Sequence, residues 1–448
     1  MLLVAAVQFV NILDFVMVMP MGPDFAAALG IPLSHLGYVG GAYTAAAATS
    51  GLICAGFVDR FDRRRALAVA MLGLVAGTAL GGLATGMGTL LCARVVAGSF
   101  GGPATSIAFS IVADVVPVER RGRAMGVVMG AFSVAQVLGV FGGLVLAEHL
   151  GWRAPFLAVA GLGFAVAGLA VFLLPPLTSH LAAARRGGAT FLQLAREPLV
   201  LTSWATTALV MVAGFVLIPN IAGYVQMNLG YPRAHLGRLY AAGGVVSLIS
   251  TQLSGRMVDR LGAFRTGTIG AILVVGVIWA GFVAVPPAIP VLALFMSFMF
   301  SMGMRNVAYN TLATRVPAPG QRARFLSIQS AVQHFSSAAG AFLGSRLLVE
   351  GAGHALVGMR TVALLSMALS FLIPLMLHRV ERGVLLRDRG AAAPLPTASL
   401  GAPSAAGAGV AAAEESAAGA GVAAAEERAA TGEAAAARPG SGSSGEAA

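Results

Sequence analysis

Apolar residues run in blocks of about twenty, and the breaks between blocks hold most of the charge. About twenty apolar residues is the length an α-helix needs to cross hydrocarbon. No block alternates polar and apolar positions, which excludes a membrane β-barrel. The pattern predicts an all-α membrane protein with twelve transmembrane helices. The first six spans fall at about 2–22, 36–57, 66–86, 88–113, 123–147 and 154–175. The second six fall at about 199–224, 237–257, 265–285, 288–312, 324–348 and 357–379. An Ala-rich stretch follows the first block as in a signal peptide, but no basic region precedes it and Asn11 and Asp14 interrupt it. An uncleaved first span is expected.

The two sets of six repeat each other. "LGIPLSHLG" at 29–37 returns as "LGYPRAHLG" at 229–237, with six identities in nine positions at an offset of 200. The same offset pairs Asp59 with Asp259, Arg60 with Arg260 and Pro117 with Pro317. This predicts an N-terminal six-helix half at 1–176, a cytoplasmic linker at 177–198 and a pseudo-symmetric C-terminal half at 199–380. Two parallel halves around a central path are the layout of a secondary transporter, with its site near the midplane. Residues 381–448 form a low-complexity Ala/Gly/Ser/Glu tail, with "GAGVAAAEE" in tandem at 407–415 and 419–427. With no apolar stripe to bury, a disordered cytoplasmic tail is expected.

Charge then sets orientation. The chain has 57% hydrophobic and 10% charged residues, and all 29 of its basic side chains are arginine. Breaks after spans 2, 4, 6, 8 and 10 hold Arg60, Arg63, Arg64, Arg65, Arg120, Arg121, Arg123, Arg185, Arg186, Arg260, Arg315 and Arg322, whereas the alternate breaks hold few, among them Arg153 and Arg233. The arginine-rich side is expected in the cytoplasm, with both termini. The net charge of +11 is spread over short loops and not one soluble face, which argues against nucleic-acid binding. Cys54 and Cys92 lie in apolar segments and read as small packed hydrophobes. There is no metal-ligand spacing, nucleophile elbow or Walker phosphate loop, so no enzyme, no metal and no ATP use is expected.

Several motifs resemble the major facilitator superfamily, in its drug:proton antiporter-like branch, over about residues 1–380. The loop after span 2, Ala55-Gly56-Phe57-Val58-Asp59-Arg60-Phe61-Asp62-Arg63-Arg64, is similar to the family's Gly-x-x-x-Asp-Arg-x-Gly-Arg-Arg. Gly255-Arg256-Met257-Val258-Asp259-Arg260-Leu261-Gly262 is a cleaner second copy. Arg94-x-x-x-Gly98 resembles the membrane arginine motif, and Asp114, Pro117, Arg121, Gly122 and Arg123 match the loop after span 4. Gly151-Trp152-Arg153-Ala154-Pro155-Phe156 matches the start of span 6. Asp62 stands where relatives have glycine, and Asp is one of the few residues that tolerates a left-handed turn. In span 5 the antiporter Gly-Pro pair is replaced by Leu138-Gly139 ahead of Gly142-Gly143. The resemblance implies a cytoplasmic-membrane carrier of a bacterium that moves small organic solutes by alternating access. Proton-coupled efflux is the leading expectation, with no cofactor beyond the proton gradient, a lipid bilayer around it and a monomeric state. A proton-coupled importer or a uniporter is the alternative, and a non-transporting sensor signalling through its tail is a different class.

Asp14 is the most informative residue. A carboxylate in mid-span is costly, so it lines a cavity, pairs with another group or exchanges a proton. Gln8, Asn11 and Asp14 recur at spacings of three, cover one side of the helix and should face the path. Arg94, the second buried charge, either tunes Asp14, holds a substrate anion or braces a helix. Tentative substrate contacts are Gln8, Asn11, Gln136, Asn220, Arg305, Asn306, Tyr309, Gln329 and Gln333, and the same residues could serve only as interhelical glue. The resemblance implies a conformational latch of Asp59, Arg60 and Arg63, with Asp114 as the partner of Arg63 and Gly255, Asp259 and Arg260 as the second copy. It implies that Asp59 faces the start of span 11. Gly130, Gly139, Gly142 and Gly143 are expected to pack helices closely.

Overall fold

The computed structural model describes residues 2–55, 60–117, 120, 127–128, 130–131, 134–177, 194, 196–284, 289–318 and 321–392. In the first half α1 (Leu2–Val18), α2 (Gly22–Leu29), α3 (Leu36–Ala55), α4 (Arg63–Gly82) and α5 (Met87–Val115) follow in order. A π-turn, Ala135–Gly139, leads into α6 (Val140–Leu150), and α7 (Arg153–Leu173) closes the half. The second half runs α8 (Pro198–Phe215), α9 (Arg233–Leu261), α10 (Ala263–Ile278), α11 (Val291–Thr314), α12 (Arg322–Leu347) and α13 (Met359–Ala392). Helix α8 continues through a broken stretch, Ile218–Asn220 and Ile221–Gly223, to a π-turn at Tyr224–Asn228, and Pro219 supplies the break.

Helix occupies each predicted span, with span 5 described only in part. Seven described helices are long and apolar enough to cross a membrane, and α1 with α2, bent by 61°, makes an eighth if taken as one span. The first predicted span is bent at its end, where α1 gives way to α2. Helices α3, α9 and α12 fall outside that group because Ala, Gly, Ser and arginine dilute them. They pack between neighbours, where protein surface takes the place of lipid.

Helix pairing positions the site. Helix α5 packs on α3 and α4, α4 on α7, and α11 on α9 and α10, while α3 lies along α12 and α9 along α6 to join the halves. Close approach at α3–α12 depends on Gly37, whose missing Cβ would strike the Ala341 carbonyl and Ser345. Of the four glycines expected to pack, only Gly139 is tight among the described residues: a Cβ built there would lie 2.5 Å from Leu13 Cδ1. Among the described residues, a Cβ at Gly130 or Gly142 would meet nothing within 4 Å, and one at Gly143 only Met17 Cβ at 3.8 Å. The expectation fails there because α6 meets α9 through Phe141 and Leu144, which pack over Gly237.

Three further features correct the sequence reading. Val349–Glu350 and Leu356–Val357 form a two-stranded antiparallel hairpin between α12 and α13. Its tip needs Gly353 and His354 in the left-handed region. Residues 381–392, expected in the tail, continue α13, where Val380 and Val384 are buried and Arg387 donates to the carbonyls of Val316 and Arg315. Residues Met1–Asp388 form one unit and Arg389–Ala448 a second.

Asp62 does not adopt the left-handed turn. Its φ is −56° and it is the N-cap of α4, its carboxylate accepting the backbone N–H of Arg64 at 3.0 Å. The same oxygen accepts the N–H of Leu177 at 2.8 Å, beyond the end of α7, while Arg63 N–H donates to Leu177 O and Arg64 Nη1 to Leu174 O. The residue that departs from the family pattern ties the start of α4 to the segment that follows α7.

Candidate functional site

Asp14, on α1, is 0% exposed and Arg94, on α5, is 1% exposed. Arg94 Nη2 donates to Asp14 Oδ1 at 3.0 Å and Nη1 to Oδ2 at 3.2 Å, the parallel two-bond geometry in which guanidinium and carboxylate match best. Thr78 Oγ1, on α4, adds a third hydrogen bond to Asp14 Oδ1 at 2.7 Å. The guanidinium lies between the rings of Tyr43 and Phe156, 5.5 and 5.6 Å from their centroids. The carboxylate therefore sits inside the first half between α1, α4 and α5, and not on the path between the halves.

Asn11 extends the polar stripe by one turn. Its Nδ2 donates to Gly101 O at 2.7 Å and to Thr105 Oγ1 at 2.6 Å, and Tyr43 OH donates to its Oδ1 at 2.8 Å. Gln8 is buried and its Oε1 has no partner among the described residues. Instead of facing the path, Asn11 and Asp14 lock α1 to α3, α4 and α5. An aromatic chain connects this lock to the other half: Tyr43 stacks on Phe15 at 5.3 Å, and Phe15 stacks across the interface on Phe215 at 6.3 Å. Phe15 and Phe215 are also related by the repeat offset of 200.

In the second half the tentative substrate contacts bond mostly between helices. Gln333 Nε2 donates to Tyr309 OH at 2.8 Å and Gln329 Nε2 to Thr207 Oγ1 at 2.7 Å, tying α12 to α11 and α8. Asn310 donates to the Asn306 backbone carbonyl, and the buried Oδ1 of Asn306 is unpartnered among the described residues. Arg305 is 1% exposed, and among the described residues its Nη2 bonds only Met302 Sδ, at 3.0 Å. Asn220, in the break of α8, is fully buried with neither amide atom bonded among the described residues. Gln136 is half-buried on the π-turn, its backbone oxygen against Gly244.

At the arginine-rich end, Arg63 Nε pairs with Asp114 Oδ2 at 3.2 Å. Arg60, Asp259 and Arg260 are exposed, and among the described residues a Cβ at Gly255 would meet nothing within 4 Å. Asp59, with Gly56, Phe57, Val58, Arg121, Gly122 and Arg123, lies outside the described residues.

Contacts between the halves that the sequence reading missed lie at the opposite end. Arg233 binds both carboxylate oxygens of Asp24 at 2.6 Å and donates to Leu144 O at 3.4 Å. Leu33 N–H donates to Glu350 Oε2 at 2.6 Å, and His354 bonds the other oxygen of Glu350. That hydrogen bond from His354 comes first among the causes that hold Glu350 below the usual carboxylate range. Within the second half, Asn228 holds the hairpin by bonding the backbone N–H and C=O of Leu356. A signal for the first of these was present: Arg233 is an arginine on the arginine-poor side, where orientation does not call for one.

A family profile described as Major Facilitator Superfamily matches residues 4–341. The chain is similar to a "Chloramphenicol resistance protein" of Streptomyces lividans, 29% identical over 341 residues, which cover 74% of this chain and 84% of that one. It is 26% identical over 242 residues to the uncharacterized transporter YtbD of Bacillus subtilis, covering 53% of this chain and 60% of that protein. Its fold is similar to the crystal structure of a bacterial homologue of the human lysosomal transporter Spinster in an inward-facing and occupied conformation. There the TM-score is 0.68 at 17% identity, over 86% of this chain and 97% of the other.

Proposed function

The chain belongs to the Major Facilitator Superfamily, and from that premise we propose that it is a proton-driven exporter of small organic solutes that works by alternating access. The observation that carries the reading is the sealed cluster of Asp14, Arg94 and Thr78. Two guanidinium N–H groups and a hydroxyl support the charged carboxylate. If α5 shifts against α1 and withdraws Arg94, an ionised Asp14 becomes too costly to leave bare in the membrane interior, and it takes up a proton instead. The Tyr43–Phe15–Phe215 stack gives such a shift a route to the other half. A membrane potential adds about 2.3 kcal/mol per charge per 100 mV to the driving force.

The contacts of Asp24 with Arg233 and of Leu33 with Glu350 support a state closed at the arginine-poor end, which the arginine asymmetry puts outside the cell. The Arg63–Asp114 pair is the natural latch for the opposite end. Likeness to a chloramphenicol resistance protein favours export and makes chloramphenicol the first probe.

The test uses the full chain in proteoliposomes with an imposed pH gradient. Wild type should move chloramphenicol against protons. Asp14→Asn should lose pH-driven transport while keeping gradient-free exchange of labelled substrate. Normal pH-driven transport in that variant would remove Asp14 from coupling, and protons moving in the same direction as the solute would make the protein an importer.

A further inference from the structure

The repeat offset of 200 places Phe15 opposite Phe215 and Val16 opposite Val216, and it places Asp14 opposite Gly214. The second half therefore lacks a carboxylate at the position where the first half keeps the partner of its buried arginine. Yet the second half has a buried arginine beside that position. A Cβ built on Gly214 would lie 3.5 Å from Arg305 Nη2 and 3.1 Å from the terminal methyl of Met302. Among the described residues, Arg305 Nε and Nη1 have no hydrogen-bond partner, and Nη2 has only the thioether of Met302. A thioether is a weak acceptor. A guanidinium does not shed its proton to escape burial, and an uncompensated buried charge is among the most costly arrangements in a protein.

We propose that Arg305 is an anion-binding site, in which a compact monovalent anion takes the place that Asp14 fills in the first half. Small polar groups lie on the side of the site nearer the arginine-rich end. Tyr309, one turn along α11 from Arg305, and Thr207, two turns along α8 from Gly214, line a small pocket with Ser203 and Thr206. Two sources share the required chemistry: the carboxylate of a transported solute, and a free inorganic anion. The first source rests on the carrier reading above, whereas the site itself does not. In either case the second half recruits from outside a counter-ion that the first half carries within.

The experiment measures binding to the purified full chain in neutral detergent, without any gradient, so its failure and the failure of the exporter reading are distinguishable. The probes are benzoate, uncharged benzamide of the same shape, and chloride, at constant ionic strength. Benzoate should bind and benzamide should not. Arg305→Gln should weaken benzoate by about tenfold or more, as expected for loss of a charged hydrogen-bond donor. Gly214→Asp restores the carboxylate of the first half; it should abolish benzoate binding while unfolding no earlier than wild type. Chloride that competes with benzoate identifies the free ion as a sufficient source, and chloride without effect assigns the site to the carboxylate of the solute. Equal affinity for benzoate and benzamide, or benzoate binding unchanged in both variants, overturns the proposal.

Discussion

The two halves share a plan but treat buried charge in opposite ways. At offset 200 the first half has Asp14 and Asp62, and the second has Gly214 and Gly262. Asp62 caps α4 and holds Leu177, just past the last helix of its half. In the second half Gly262 turns with φ +87°, and the cap on α10 comes from Glu381 of the last helix, whose carboxylate accepts Phe264 N–H at 3.1 Å. The same link between third and sixth helices is made from the other end. Asp14 has no such substitute, and among the described residues Arg305 has only the Met302 thioether as a partner. The first half is thus electrostatically complete, and the second is complete only at its rim.

The largest expected effect tests that contrast. Asp14→Ala or Arg94→Leu breaks a sealed pair and should cost about 3–5 kcal/mol of stability. Arg305→Leu removes a charge that has no partner to strand, and should be neutral or stabilising. Thermal unfolding in detergent compares them, and a loss at Arg305 as large as at Arg94 would mean that the halves do not differ in this way. Next in size is the joint between halves. Asp24→Asn leaves Arg233 half-paired and should weaken the closed arginine-poor face by about 1–2 kcal/mol. The measurement is the labelling rate of Phe215→Cys, with Cys54 and Cys92 replaced by serine, by an impermeant thiol reagent. Unchanged labelling would separate this pair from gating.

Much of this architecture was legible in the chain. Twenty-residue apolar blocks gave the helices, the repeat gave two halves, and Asp14 and Arg94 stood out as charges in oil. Their pairing was not legible, because Thr78 and Tyr43 carry no pattern of their own and no spacing relates α1 to α4 and α5. The stripe of Gln8, Asn11 and Asp14 was read correctly as one face of a helix, but a polar face can turn into its own bundle as readily as toward a path. Asp62 was misread for a related reason: a glycine site implies a left-handed turn, and a residue able to cap makes the turn unnecessary. Phe15 and Phe215 lay in plain view at the repeat offset, but apolar identities in apolar spans are weak signals.

A smaller effect separates the two caps. Asp62→Ala should cost about 1 kcal/mol as a lost N-cap, and Asp62→Gly only a few tenths from the cap itself. If Asp62→Gly proves nearly as damaging as Asp62→Ala, the excess belongs to the bond with Leu177 and not to helix capping. Glu381→Gln is the matching change in the second half. Its amide oxygen can still accept from Phe264, so it should lose less than Asp62→Ala. Unfolding temperatures of the three variants order these terms.

The smallest effect is a pH dependence at the joint between halves. Glu350 accepts hydrogen bonds from His354 in its own hairpin and from Leu33 N–H of the other half, and these hold it below the usual carboxylate range. For a depressed carboxylate the stabilisation is present above its unfolded value, about 4.3, and is lost as pH falls through its lower folded value. Acid should therefore loosen the arginine-poor face, and alkali should not. The side chain is partly solvated, so the gain in labelling of Phe215→Cys should correspond to a few tenths of a kcal/mol. With each rate taken relative to Glu350→Gln at the same pH, which cancels the thiol's own pH dependence, wild type should label more slowly near pH 7 and at nearly the variant's rate below about pH 4. A ratio to Glu350→Gln that stays constant as pH falls would move the dependence to another group, with Asp24 the next carboxylate at the joint to replace.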